Sequence, residues 1–391
     1  MKKTVKDVDV SSKRVLVRSD FNVPLKQGKV ADDFRLRGGL PTIEYLIRQG
    51  GRVILCSHLG RPKGRVVEGL RLAPVADRLT ELLGKKVTYV DDCVGEAVRG
   101  AAAGLKDGDV LLLENLRFHP GEEKNDPGFA SELARPAELY VNDAFGAAHR
   151  AHASTEGVAH HLPAVAGLLM HKELDELTAV RDRPARPFAA ILGGAKVSEK
   201  LGVLEKLLDQ LDLILAAGGI ANTMFMISGV ETGKSLVAED KIETAARISD
   251  AAGARLVLPV DVVVAENAES SEGKRIVSIG EIPRDKMILD VGPQTVKRFL
   301  AKLEDARTII WNGPLGAFEN PPFDEGTIAM AKGLEGLAAT TVLGGGDSVA
   351  AAARAGVLES ISHVSTGGGA FLAFIQGKEL PGVQALQDHR A

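Results

Sequence analysis

Short runs of aliphatic and β-branched residues recur along this chain, and each gives way to a stretch with apolar positions at helical spacing. In the first half the runs cover 15–17, 53–55, 87–90, 110–113 and 139–141. In the second half they cover 189–192, 213–215, 256–258, 308–311, 341–343 and 363–365. Amphipathic stretches such as 72–83, 198–208 and 240–251 lie between them. Runs that are apolar at every position belong to strands buried on both faces. Strand–helix alternation of this kind predicts an α/β protein with parallel sheets covered by helices. A helix over 172–180 and the charged, proline-punctuated connector 181–187 mark a boundary between two domains. The stretch 160–171 reads equally as helix or loop.

Almost every run ends in Gly, Asn, Asp, Arg or His, and open α/β sheets bind ligands outside the carboxyl ends of their strands. The first half places Asp20-Phe21-Asn22, His58-Leu59-Gly60-Arg61, Asn115-Leu116-Arg117 and His149-Arg150 at such ends. Rigid guanidinium forks there suit a small phosphorylated acid. The second half uses glycine and lysine instead: Gly193-Gly194-Ala195-Lys196, Gly344-Gly345-Gly346-Asp347-Ser348 and Thr366-Gly367-Gly368-Gly369. Glycine turns that open helices present backbone N–H groups and a dipole end to nucleotide phosphates. Lys196 and Lys200 stand four apart near a predicted helix start, on one face, where dipole and mutual repulsion both disfavour them unless an anion offsets the charge. Asp347 reads either as a first-turn acid that complements the helix dipole or as a ligand for nucleotide-bound Mg²⁺. Two anion sites of different chemistry in one chain point to a kinase that brings two phosphorylated ligands together.

Composition narrows the alternatives. A net charge of −4 and only 4% aromatic residues argue against a nucleic-acid partner. No apolar run reaches membrane-spanning length, and the N-terminus lacks the apolar core of a signal peptide. The two cysteines, Cys56 and Cys93, form no CxxC and no disulfide framework, which fits a reducing cytoplasm; Cys56 reads as a core residue. The segment from Gly229 to Ser235 imitates a P-loop but has three residues between its glycines where four are needed. No GxGxxG, HExxH or GxSxG pattern occurs.

The segments Arg18-Ser19-Asp20-Phe21-Asn22-Val23-Pro24, Ser57-His58-Leu59-Gly60-Arg61-Pro62, Glu114-Asn115-Leu116-Arg117-Phe118-His119, Gly193 to Lys200, Trp311-Asn312-Gly313-Pro314, Gly344 to Asp347 and Ser365 to Ala370 together resemble the phosphoglycerate kinase family. The likeness runs nearly end to end and in order. It implies two doubly wound, Rossmann-like parallel-sheet domains facing each other across a hinged cleft. The first spans 1–170, a linking helix and hinge 171–187, and the second 188–380, with 381–391 packing back on the first. It implies reversible phosphoryl transfer between ATP and 3-phosphoglycerate in glycolysis, by a cytoplasmic monomer with no nucleic-acid or membrane partner. Carried over by position, Asp20, Asn22, Arg35, His58, Leu59, Gly60, Arg61, Arg117 and Arg150 would bind 3-phosphoglycerate. Lys200, Asn312, Pro314, Glu319, Gly345, Gly346, Asp347 and Ser348 would bind ATP or ADP, with Glu319 on the ribose and Asp347 on Mg²⁺. Three positions depart from the family pattern: Ser19 and Ala317, where valine is frequent, and Ser348, where threonine is usual.

The acceptor carboxylate is already ionised at neutral pH, so the reaction needs no general base. Arg35, Lys196, Lys200, Gly346 and Gly369 would instead steady the transferring phosphoryl group as the domains close. The alternative is a non-catalytic nucleotide- or phosphate-binding protein on the same scaffold.

Overall fold

The first apolar run becomes the Arg14–Arg18 strand, a central member of a six-stranded sheet in the computed structural model, which describes residues 1–389. The sheet order is Val87–Tyr89, Val110–Leu112, Arg52–Cys56, Arg14–Arg18, Leu139–Asn142, Ala164–Ala166, all parallel. The chain starts in the middle, builds outward in one direction, then returns and builds the other way. Arg18 is paired in register with Cys56 on one side and Asn142 on the other. The topology therefore reverses at Arg18, where an open sheet leaves a crevice for a ligand. Val15, Val17, Val53, Leu55, Val110 and Val141 are fully or almost fully buried against helices such as Phe34–Arg48 and Ala73–Leu83.

The second sheet repeats the scheme in the order Leu256–Val257, Leu213–Ala216, Phe188–Leu192, Thr308–Asn312, Thr340–Gly344, His363–Val364. Its reversal lies at Leu192, which pairs with Ala216 and Asn312. By contacts the chain divides into a unit of Met1–Asp175 with Glu379–Ala391, and a unit of Glu176–Lys378. Of the C-terminal segment expected to pack on the first domain, Arg390 and Ala391 lie outside the described residues. Among those described, Gly382 donates its N–H to Ala148 and accepts from Asn142 Nδ2.

Three elements depart from the pattern. Residues 164–166, left open between helix and loop, form the sixth strand of the first sheet. The helix expected over 172–180 starts earlier and spans Leu168–Asp182, its first N–H groups donating to Thr42 Oγ1 and Asp143 Oδ1. The second unit also holds an antiparallel sheet in the order Arg275–Ser278, Asp261–Ala265, Met287–Val291. Asp261–Ala265 is buried between two small apolar clusters, one around Val263 and Phe323 and one around Val262 and Ile282. The run Val262-Val263-Val264 is as apolar as the parallel strands, but its partner Arg275–Ser278 is largely exposed and holds only Ile276-Val277 between polar ends, so the antiparallel pairing has no local signature.

Candidate active site

In the first unit the polar residues after the strands converge on His58. This histidine is buried, and its Nδ1 lies 3.1 Å from Arg18 Nη2. A guanidinium only donates, so Nδ1 is the acceptor and the neutral ring carries its proton on Nε2. Burial, then the charges of Arg18, Arg117 and Arg35, hold the ring well below its usual pKa, so it is uncharged at pH 7. His58 is thus a neutral N–H donor set among cations.

Arg18 is itself fully buried and donates to Ser154 Oγ at 2.8 Å. Ser154 in turn donates through Oγ (2.6 Å) and N–H (2.9 Å) to the two oxygens of buried Glu122. Arg117 donates to the Gly60 carbonyl at 2.8 Å and pairs with Glu123 at 3.3 Å. Asn115 braces the same turn, accepting from the N–H groups of Leu59 and Arg117 and donating to the Leu59 and Leu70 carbonyls. Gly60 sits at φ +62° and donates to Asn22 Oδ1 at 2.8 Å. Arg35 is half-buried and donates to both Asp20 oxygens (3.3 Å each) and to the Asn22 carbonyl (3.1 Å). Arg150 lies within electrostatic reach of Arg117 and His152. The structure thus gathers Asp20, Asn22, Arg35, His58, Leu59, Gly60, Arg117 and Arg150. Arg61 follows them at an exposed position and makes no ion pair among the described residues.

The supporting layer of Arg18, Glu122, His152 and Ser154 escaped the reading of the sequence. One signal was present: Arg18 ends an otherwise apolar buried strand, where an unpaired charge is costly. Glu122 and Ser154 come from distant turns and gave none.

In the second unit a cavity of about 470 Å³ opens at the carboxyl ends of the sheet. It is lined by Lys196, Lys200, Asn312, Pro314, Glu319, Gly345, Gly346, Asp347, Ser348 and Gly369, so every nucleotide-side candidate meets there. Gly345 adopts φ +100°, and a Cβ on Gly368 would stand 3.3 Å from Gly345 Cα, so the two glycine turns nearly touch. Ser348 is fully buried and its Oγ accepts the Gly313 N–H at 2.7 Å, which leaves the hydroxyl proton to donate. Asn312 is held by the Gly344 carbonyl at 2.7 Å.

The two lysines do not share a helix face as their spacing suggested. Lys196 is the exposed, non-helical residue that precedes the helix Val197–Leu207, whereas Lys200 is inside it and buried. Burial lowers the Lys200 ammonium to a pKa of about 8, with Asp347 acting in the opposite sense. Lys200 Nζ donates to the Gly193 carbonyl and forms no ion pair among the described residues. Gly194 and Gly313 flank it so closely that a Cβ on either would meet Nζ at 2.8 or 2.2 Å.

Two parts of the cavity went unread. Gly218 and Gly219 form a third glycine turn that opens a helix, Gly218–Ile227, and the signal was visible just after the Leu213–Ala216 strand. Asp290 lines the wall on the antiparallel sheet and accepts from the N–H groups of Val291 and Gly326. Burial raises its pKa to about 7 despite these bonds.

The model of the family described as phosphoglycerate kinase matches residues 5–378. The phosphoglycerate kinase of Pelotomaculum thermopropionicum is 56% identical over 390 residues, 99% of each chain. That of Moorella thermoacetica is 54% identical over 390 residues, again 99% of each. Among solved structures, phosphoglycerate kinase from Coxiella burnetii superposes with a TM-score of 0.84 at 38% identity, covering 98% of both chains. The enzyme from Pyrococcus horikoshii OT3 gives a TM-score of 0.89 at 34% identity, covering 99% of this chain and 98% of that one.

Proposed function

This chain belongs to the phosphoglycerate kinase family and is a phosphotransferase of glycolysis; from that premise we propose how its residues divide the reaction between ATP and the carboxylate of 3-phosphoglycerate. The observation that carries the reading is Lys200. A buried ammonium with a carbonyl partner and, among the described residues, no ion-paired carboxylate is costly by itself and becomes favourable when a polyphosphate arrives.

On this reading the second-unit cavity holds ADP or ATP. Leu236, Leu289, Leu315 and Leu372 offer an apolar wall to the base, and Glu319 faces the ribose. Gly345, Gly346 and Gly369 present N–H groups to the phosphates, alongside Asn312, Pro314 and Ser348. Asp347, at the first turn of Gly346–Ala355, is exposed and accepts no hydrogen bond among the described residues. One free carboxylate beside a hydroxyl fits Mg²⁺, which takes one or two carboxylates and completes its shell with phosphate oxygens and water. Bound with the nucleotide, Mg²⁺ would neutralise phosphate charge.

The first-unit cluster holds 3-phosphoglycerate. Arg61, Arg117 and Arg150 supply charge for its phosphate, while Asp20 and Asn22 accept from its hydroxyl. His58 donates from Nε2 to an anionic oxygen without adding charge. Arg35 steadies the transferring phosphoryl group together with Lys200 and Lys196. The acceptor carboxylate is ionised at neutral pH, and no residue is needed to take a proton from it. Because the ligands are bound by different units, turnover includes closure that brings them into reach and excludes water. We infer a monomer that works in the cytoplasm, a reading supported by two free cysteines.

The test is ADP release from MgATP with and without 3-phosphoglycerate. Strong stimulation by the acid is expected. Turnover indifferent to it would mean another acceptor or hydrolysis. Binding of both ligands without turnover would favour the non-catalytic alternative.

A further inference from the structure

Cys93 lies in the segment after the Val87–Tyr89 strand, apart from the residues assigned to either anion site, and is fully buried. Its thiol makes no hydrogen bond among the described residues. Next to it, His119 Nε2 stands 2.8 Å from Asp92 Oδ1. One ligand atom from each of Asp92, Cys93 and His119 lies within 4.8 Å of the other two. The His119 ring stacks on Phe129, with centroids 5.1 Å apart and planes inclined by 24°, which sets the direction of its nitrogens. Asp92 and His119 side chains are 48% and 32% exposed, so an ion from solvent meets them first, with the buried thiol beneath them. Burial first, then the carboxylates Asp92, Glu122 and Glu114, hold this thiol protonated well above its usual range, and the same carboxylates make the local field favourable to a cation.

We propose that Asp92, Cys93 and His119 form a zinc-class metal site, with the fourth tetrahedral position open to water. One thiolate, one imidazole and one carboxylate are donors that a borderline-soft divalent ion accepts. Tetrahedral ligation sets donor atoms roughly 3.3–3.8 Å apart, so the His119–Asp92 contact would open by about 0.5 Å. On binding, the metal–sulfur bond forms as the thiol proton leaves to solvent. Mg²⁺ prefers oxygen ligands, so the metal that accompanies the nucleotide does not compete for this thiol. The site has a structural consequence. His119 directly precedes the helix Pro120–Glu123, with Arg117 two residues before it and Glu122 three after. Occupancy would brace the turn that carries these two residues of the arginine cluster.

Cobalt(II) is the probe, added to the full chain without nucleotide. The expected result is one ion per chain, a near-ultraviolet thiolate-to-cobalt charge-transfer band and intense visible bands of a tetrahedral centre. Cys93→Ser should abolish the charge-transfer band, whereas Cys56→Ser should leave it intact. His119→Gln should weaken Zn²⁺ binding by at least the roughly 10–100-fold that losing even an outer-shell partner costs. The melting temperature should rise with Zn²⁺ in the wild type and not in Cys93→Ser. If Cys93→Ser does not fold, His119→Gln and Asp92→Asn carry the same measurements. Absence of the band in the wild type, its survival in Cys93→Ser, or unchanged Zn²⁺ affinity in both His119→Gln and Asp92→Asn would overturn the proposal.

Discussion

The two anion-binding regions are built on the same kind of sheet edge by opposite means. In the first unit, long charged side chains are held in place by a buried layer: Arg18, Ser154 and Glu122 behind His58, and Asn115 behind Arg117. In the second, the backbone itself forms the cradle, and the space exists because side chains are missing at Gly194, Gly313, Gly345 and Gly368. The first region should therefore be sensitive to truncation and the second to addition. A site for a small, many-charged acid needs directed forks, whereas a polyphosphate lying along a helix start needs closeness.

The largest expected effect is at Lys200, where the second region departs from its own rule by relying on one side chain. Lys200→Met should lower kcat by roughly 10³-fold, the scale of losing one preorganised donor to developing charge. Affinity for 3-phosphoglycerate should stay unchanged in calorimetry. Stability should rise, on the order of 1 kcal/mol, because a buried ammonium is removed. The pH dependence has a definite sign. The folded pKa of about 8 lies below the ordinary 10.5, so between these values the unfolded chain holds the extra proton. This group's contribution to stability thus rises with pH across that window, while free-enzyme affinity for nucleotide falls above pH 8. A variant with the wild-type slope of stability against pH would show that Lys200 is not desolvated.

Arg35→Ala should cut kcat by roughly 10²-fold with little change in KM for nucleotide, the signature of an interaction made mainly in the transition state. Near-normal turnover would confine Arg35 to orienting Asp20.

The comparison is tested most directly by a matched pair. Gly313→Ala adds one carbon where φ is +90° and where Cβ would meet Lys200 Nζ at 2.2 Å. It should weaken nucleotide binding by more than about 10-fold and cost at least roughly 1–3 kcal/mol of stability. Ser154→Ala removes one oxygen from the layer behind Arg18 and should raise KM for 3-phosphoglycerate by about 10-fold, leaving KM for ATP alone. If Ser154→Ala is silent, the buried layer does not position the arginines.

The smallest effect concerns Ser19. Its Oγ is buried without a hydrogen-bond partner among the described residues, at a position where the family often has valine. Ser19→Val should raise stability by about 1 kcal/mol, read as an increase in melting temperature, since it replaces an unsatisfied hydroxyl with apolar contact. A lower melting temperature would mean that the pocket has no room for the extra methyl.

The parallel strands and glycine turns were legible in the sequence because they depend on local rules. A buried parallel strand must be apolar at every position, and a backbone that turns at positive φ beside a ligand must be glycine at Gly345. The arginines of the first region were legible because they follow strand ends in the chain. The antiparallel wall around Asp261–Ala265 was not, since its pairing with Met287–Val291 is a tertiary choice and its outer strand is solvated. The same limit separated Lys196 from Lys200. Four residues apart in sequence, one precedes a helix in solvent and the other is buried among glycines, and burial is the main cause that lowers its pKa. Likewise the sequence alone determined that a histidine follows the Arg52–Cys56 strand, while Arg18 from the neighbouring strand decided which of its nitrogens carries the proton. Sequence determines what the backbone can do nearby; charge state and donor direction depend on groups that only folding brings within a few ångströms.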